Sequence, residues 1–123
     1  MFISTNPNKI NIFTKAAIAG KSIDEYPCTL YLVELSNENE KFIKIGITTN
    51  RIYQRFHENP YELKIHYQFK SNIEECLKQE QEILKDYVKY KYNPIISFKG
   101  YTECLEFNIL DQIKNVLTAR NGQ

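Results

Sequence analysis

Between Lys41 and His57 the chain carries four Lys or Arg residues, Lys41, Lys44, Arg51 and Arg55, and no acid; between Lys85 and Lys99 four lysines, Lys85, Lys89, Lys91 and Lys99, stand against Asp86 alone. The acids gather elsewhere, for example at Asp24, Glu25, Glu38, Glu40, Glu74 and Glu75. On a chain whose formal net charge is only +1, two local basic patches suit an anionic ligand held at one face. In the second patch Tyr87, Tyr90 and Tyr92 interleave with the lysines, and aromatic and basic side chains together form a surface for phosphates and exposed bases. The same residues serve equally as the amphipathic end of a packed helix. Glu80 is a different kind of signal. It falls on the apolar stripe Ile73, Cys76, Leu77, Leu84, Tyr87 and Val88, where burying a carboxylate costs several kcal/mol, roughly, unless a partner offsets it. Such departures from local rules concentrate at functional sites, although a stripe edge with a structural lysine would also account for it.

The elements that must position these groups follow from periodicity. Leu30 to Leu35 is an almost continuous apolar run, Phe42, Ile43, Ile45 and Ile47 form a second, and Ser36-Asn37-Glu38-Asn39-Glu40 between them is turn chemistry. The expected hairpin, strands 28–35 and 41–47, sets Tyr31 and Lys44 toward the same side. Leu63, Ile65, Tyr67 and Phe69 alternate with Lys64, His66, Gln68 and Lys70, which predicts a third strand over 62–69 with one polar face. Asn50 is placed to cap a helix over Arg51–Glu58 that ends at Asn59-Pro60, and Ser71-Asn72-Ile73-Glu74 reads as a capping box opening a long helix over 72–91. Helices are also expected over 8–19 and 108–118. The fold class is therefore α/β (α+β): a small, mostly antiparallel three-stranded sheet flanked by helices, with residues 1–27 as a helical extension and 28–123 as one domain. A chain of 123 residues with 42% hydrophobic residues is long enough for one core and too short for two.

The ordered set Tyr31, Lys44-Ile45-Gly46-Ile47-Thr48, Arg55-Phe56 and Gly100-Tyr101-Thr102-Glu103-Cys104 resembles the GIY-YIG nuclease superfamily, in the phage and bacterial branch where KIG stands for YIG. The resemblance covers roughly residues 28 to 107 and implies the family's fold and a metal-dependent endonuclease. It implies Tyr31 as general base, Lys44 beside it where most members place a second Tyr, and Arg55 on the phosphate oxygens. Glu103 would hold one Mg²⁺ or Mn²⁺, and Glu80 would join the site. Arg51, Lys85, Lys89, Lys91 and Lys99 would contact nucleic acid. Phosphodiester cleavage needs these parts, because a nucleophile must be activated and negative charge on phosphorus and leaving oxygen must be offset. Each residue also has an ordinary reading: Tyr31 in the core, Lys44 on the solvent face of a strand, Gly46 at a bulge, Glu103 in a loop. The chain departs from the family pattern at His57, only two residues beyond Arg55, and at Asn108, too close to Glu103 for the downstream Asn.

The expected partner is DNA, with a homodimer as one way to reach a longer site. The alternative is a nucleic-acid-binding or regulatory protein of the same fold with weak or no catalysis; an interaction protein whose patches meet an acidic partner is a third class. Cys28, Cys76 and Cys104 match neither a zinc spacing nor a disulfide framework and read as buried thiols of a reducing compartment. No apolar run approaches a membrane span and Met1-Phe2-Ile3 does not open a signal peptide, so a cytoplasmic protein is expected. The excess of Ile, Asn, Lys and Tyr suits an AT-rich phage or mobile-element gene, and hence the cytoplasm of a bacterial host.

Overall fold

The computed structural model describes residues 7–122. The start of the expected 1–27 extension, with the expectation drawn from Met1 to Ile3, lies outside the described residues. In chain order the elements are α1 (Pro7–Ile18), β1 (Pro27–Ser36), β2 (Lys41–Thr48), α2 (Ile52–Arg55), β3 (Glu62–Asn72), α3 (Ile73–Asp86), β4 (Cys104–Glu106) and α4 (Leu110–Asn121). The sheet has four strands, not three, in the order β3-β1-β2-β4, with every neighbouring pair antiparallel. The additional strand is three residues long, too short to show an alternation, and it forms because Phe42 to Lys44 offer it a free edge of β2.

Turn chemistry holds the hairpin. The Asn37 side chain accepts from the backbone N–H groups of Asn39 at 2.8 Å and Glu40 at 3.0 Å, closing the β1–β2 turn. β3 departs from expectation in a more consequential way. Its register moves from Leu32↔Tyr67 to Val33↔Ile65, leaving His66 as a bulge. An extra residue in one strand reverses which side the following residues face. Leu63 and Ile65 therefore pack on one face of the sheet and Tyr67 and Phe69 on the other, so β3 does not present the single polar face that its alternation predicts.

Two cores result. On one face Leu30, Leu32, Ile43 and Ile45 meet Ile73, Cys76 and Ile83 of α3, Ile113 and Leu117 of α4, and Ile12 and Ala16 of α1. On the other, Tyr31, Val33, Leu35 and Phe42 pack with Ile52, Phe56, Tyr61 and Cys104. All three cysteines are buried. Among the described residues no helix is long and apolar enough to cross a membrane.

The helices differ from the expected ones at their ends. Asn72, rather than Ser71, caps α3 by accepting from Glu75 N–H at 2.8 Å. α3 stops at Asp86, followed by a short 3₁₀ turn at Val88–Tyr90, because the chain must then cross the sheet edge. Lys91 bridges to Leu105 and Tyr92 N–H bonds Cys104 O at 2.9 Å. α2 is a single turn without a side-chain cap. Asn50 does not cap it, since its side-chain oxygen accepts from Lys15 at 3.0 Å instead. α4 begins after a 3₁₀ turn at Phe107–Ile109 and runs to Asn121, where Gly122 in the left-handed region ends it.

Candidate active site

Hairpin register decides which groups share a face. Tyr31 stands opposite Gly46 and Val33 opposite Lys44, so the phenol and the ammonium rise from the same side of adjacent strands. Gly46 leaves the space that the Tyr31 ring fills: a Cβ there would overlap the phenol oxygen and come within 2.5 Å of ring carbon Cζ. The Lys44 ammonium lies 5.7 Å from the ring centroid. β4 places Cys104 opposite Lys44, and the 3₁₀ turn Tyr101–Glu103 just before it delivers a carboxylate. Lys44 Nζ donates to Glu103 Oε1 at 2.9 Å.

Arg55 reaches the same place from α2. Gly100 has φ +88°, and a Cβ on it would sit 2.9 Å from Arg55 Nη2 and 3.1 Å from Lys44 Nζ. Both cations thus come up beneath the Gly100 backbone, which requires glycine for its conformation and for this close approach. Arg55 Nη2 also donates to Lys99 O at 3.4 Å. The structure therefore brings Tyr31, Lys44, Arg55 and Glu103 together.

Lys44 is not on a solvent face of its strand; it is 0% exposed. Burial opposes its charge, but Tyr31, Glu103, Cys104 and Glu80, in that order, outweigh it and hold the ammonium above the ordinary lysine range. Of these, Glu103 is the one in direct contact, and with Lys44 Nζ 2.9 Å from its Oε1 the two form a buried ion pair. Such a pair gains little stability over well-packed apolar side chains of the same volume, because desolvating two charges offsets their attraction. It sets a carboxylate and an ammonium beside the Tyr31 phenol and near the Arg55 guanidinium.

The other expected site residues fall in several places. Glu80 is fully buried on α3, which packs on the opposite face from Tyr31 and Lys44, so it sits across the sheet from them. Its charge contributes to Lys44 as the smallest of the four influences. The expected basic track divides for the same topological reason. Lys85 lies on α3 and Lys89 just after it, with its ammonium 5.1 Å from the Tyr90 ring centroid; Lys91 marks the sheet edge. Only past that crossing does Lys99 join Arg55 in lining a cleft. Arg51 lines a neighbouring depression with Tyr53, Gln68 and Lys70. His57 is exposed, its ring Nδ1 2.9 Å from Gln54 O, and shares a groove with Arg55 and Lys99.

Two features were not legible in the sequence. Glu40, in the hairpin turn, accepts from Tyr92 Oη at 2.6 Å, from Tyr61 Oη, and from Ile95 N–H at 3.2 Å. This clamp holds the segment leading to Lys99 and Gly100 against the aromatic cluster of Phe42, Tyr61, Tyr92 and Phe98. The second is Lys15 of α1, which donates to Thr49 Oγ1 at 3.2 Å and Asn50 Oδ1 at 3.0 Å. Lys15 lies before the stretch that carries the family resemblance, and no local pattern signals such a contact.

Among the described residues no cluster of three or more His, Cys, Asp or Glu side chains could hold a metal. An all-protein cage is thus not built. Mg²⁺ and Mn²⁺ at phosphate sites, however, take one or two carboxylates and complete their shell with waters and phosphate oxygens, and Glu103 fits that limited demand.

A family model described as the T5orf172 domain matches residues 29–119, from the start of β1 to near the end of α4. Comparison with curated proteins and with solved structures finds no match.

Proposed function

We propose that this chain, which belongs to the T5orf172 domain family, is a GIY-YIG-type endonuclease that hydrolyses phosphodiester bonds of DNA, in a phage or mobile-element setting. The observation that carries the reading is the buried Lys44–Glu103 pair at 2.9 Å, set beside Tyr31 and near Arg55. Tyr31, acting as the phenolate, takes the proton of the attacking water and is left as the neutral phenol while the water oxygen bonds phosphorus and the leaving oxygen departs; Lys44 is the cation beside its ring. Arg55, with its forked donors, holds the phosphate oxygens and stabilises the charge that develops on them. Glu103 is the residue that would hold Mg²⁺ or Mn²⁺, which when bound withdraws charge from the phosphate and leaving oxygen. Glu80, across the sheet, steadies the charge on Lys44 and touches no substrate.

One observation favours the alternative of a binding protein with little catalysis: Glu103 already spends one carboxylate oxygen on Lys44. The test is cleavage or nicking of supercoiled, linear and branched DNA by purified protein with Mg²⁺ or Mn²⁺, beside Glu103→Gln. Gln keeps an acceptor for Lys44 and loses the charge, so cleavage per folded molecule should fall by hundreds-fold or more, roughly the worth of a metal's charge stabilisation. DNA bound but uncut by wild type under every metal condition would leave the binding protein as the correct reading.

A further inference from the structure

The cleft beside the site is not made by the T5orf172 domain alone. It has a volume of about 330 Å³ and is lined by Thr14 and Lys15 of α1 together with Thr49, Asn50, Arg55 and Lys99. α1 precedes the matched residues 29–119. Its docking is structural on one side, where Ile12 and Ala16 enter the core, and polar on the other, where Lys15 bonds Thr49 and Asn50. Both of those partners are uncharged, so they orient the ammonium without neutralising it. The lining residues include three cations, Lys15, Arg55 and Lys99, and no carboxylate. A concave surface of a single sign focuses its field on an anion. Thr49 and Asn50 add polar groups of the kind that accompany phosphate contacts.

We propose that Lys15 and Lys99 form a second phosphate subsite beside Arg55, which binds the backbone phosphate next to the one that Arg55 holds. The α1 helix thereby completes the substrate cleft. The identity of the ligand as a nucleic-acid backbone rests on the functional reading above; the anion site itself rests on the cleft. A point-charge ammonium carries no base information, so the subsite sets register along the strand and leaves sequence preference untouched.

The experiment is equilibrium binding of a short DNA duplex, and of an RNA of the same sequence, to the full chain in EDTA across a salt series. Lys15→Gln removes the charge and keeps an unbranched stem with a polar N–H donor, one atom shorter. It should weaken binding roughly five- to tenfold near physiological salt and reduce the slope of log K against log salt by about 0.9, the signature of one lost phosphate contact. Lys15→Arg should restore both, and Lys21→Gln, an exposed lysine outside the lining, should change neither. Unchanged affinity and slope for both nucleic acids overturn the subsite. So does weaker binding with an unchanged slope, which is what loss of α1 docking without a phosphate contact produces. Because EDTA binding needs no cleavage, a Lys15-dependent slope in a protein that never cuts DNA supports the subsite and removes only the nuclease reading. Cleavage by wild type with a Lys15→Gln slope equal to wild type does the reverse.

Discussion

On one face of the sheet Leu30, Leu32, Ile43 and Ile45 meet helices whose inward residues are almost all aliphatic; on the other, Tyr31, Lys44 and Glu103 are just as deeply buried among aromatic rings. The first face holds together by removing apolar area from water, at about 25 cal/mol per Å². The second buries an ion pair and ties its covering loop through Glu40 to Tyr61 and Tyr92. Both faces share β1 and β2, so alternate residues of the same two strands serve opposite purposes. The aliphatic face thus acts as a rigid base for groups that, by themselves, add little stability.

The contrast breaks most severely at the ion pair. Glu103→Leu leaves the Lys44 ammonium buried and uncompensated, and should destabilise the protein by about 3–5 kcal/mol. Adding Lys44→Met should recover most of that loss, since an apolar pair of similar volume is close to neutral. Urea unfolding of the wild type and of the single and double variants checks this; a single variant as stable as wild type would mean that Lys44 finds water or another acid.

Truncation on the opposite face comes next. Leu32→Ala should cost about 2–5 kcal/mol by lost transfer energy and residual cavity, in a protein whose DNA binding per folded molecule is unchanged. If binding falls with it, the aliphatic face is not merely a base. Thermal unfolding beside titrated binding separates the two outcomes.

The smallest effect sharpens the comparison through pH. Burial would raise the Glu40 pKa, but bonds from Tyr61, Tyr92 and Ile95 N–H outweigh it and hold it below its ordinary value of 4.5. A depressed folded pKa contributes stability that is present above about pH 4.5 and is lost as pH falls below it. The same bond, with burial behind it, pushes Tyr92 up from 10.0 to about 12. A raised folded pKa gives stability that is complete below pH 10 and lost as pH rises toward 12. The Tm of Glu40→Gln should therefore lose part of the wild type's decline at both ends, a difference on the order of a few degrees. Leu32→Ala, on the other face, should retain it. Matching pH profiles of wild type and Glu40→Gln would show that the clamp is absent in solution.

The sequence by itself determined the hairpin, the order of Tyr31, Lys44, Arg55 and Glu103 along the chain, and the buried stripe of α3. Each of these is written in neighbouring residues: alternation, a turn whose Asn37 bonds its own backbone, and spacing on one helix. Tertiary structure alone decided the rest. Lys44 in the middle of a strand reads the same whether its face meets solvent or protein; β4 and the covering loop make it buried. Glu80 was recognisable as a misplaced carboxylate, but which side of the sheet it occupies depends on how α3 packs. The bulge at His66 cannot be seen in a strand that alternates perfectly, because a bulge is a mismatch between two strands and β3 shows its side only. Lys15 meets Thr49 across 34 residues, and no local pattern encodes a contact that exists only once α1 has docked.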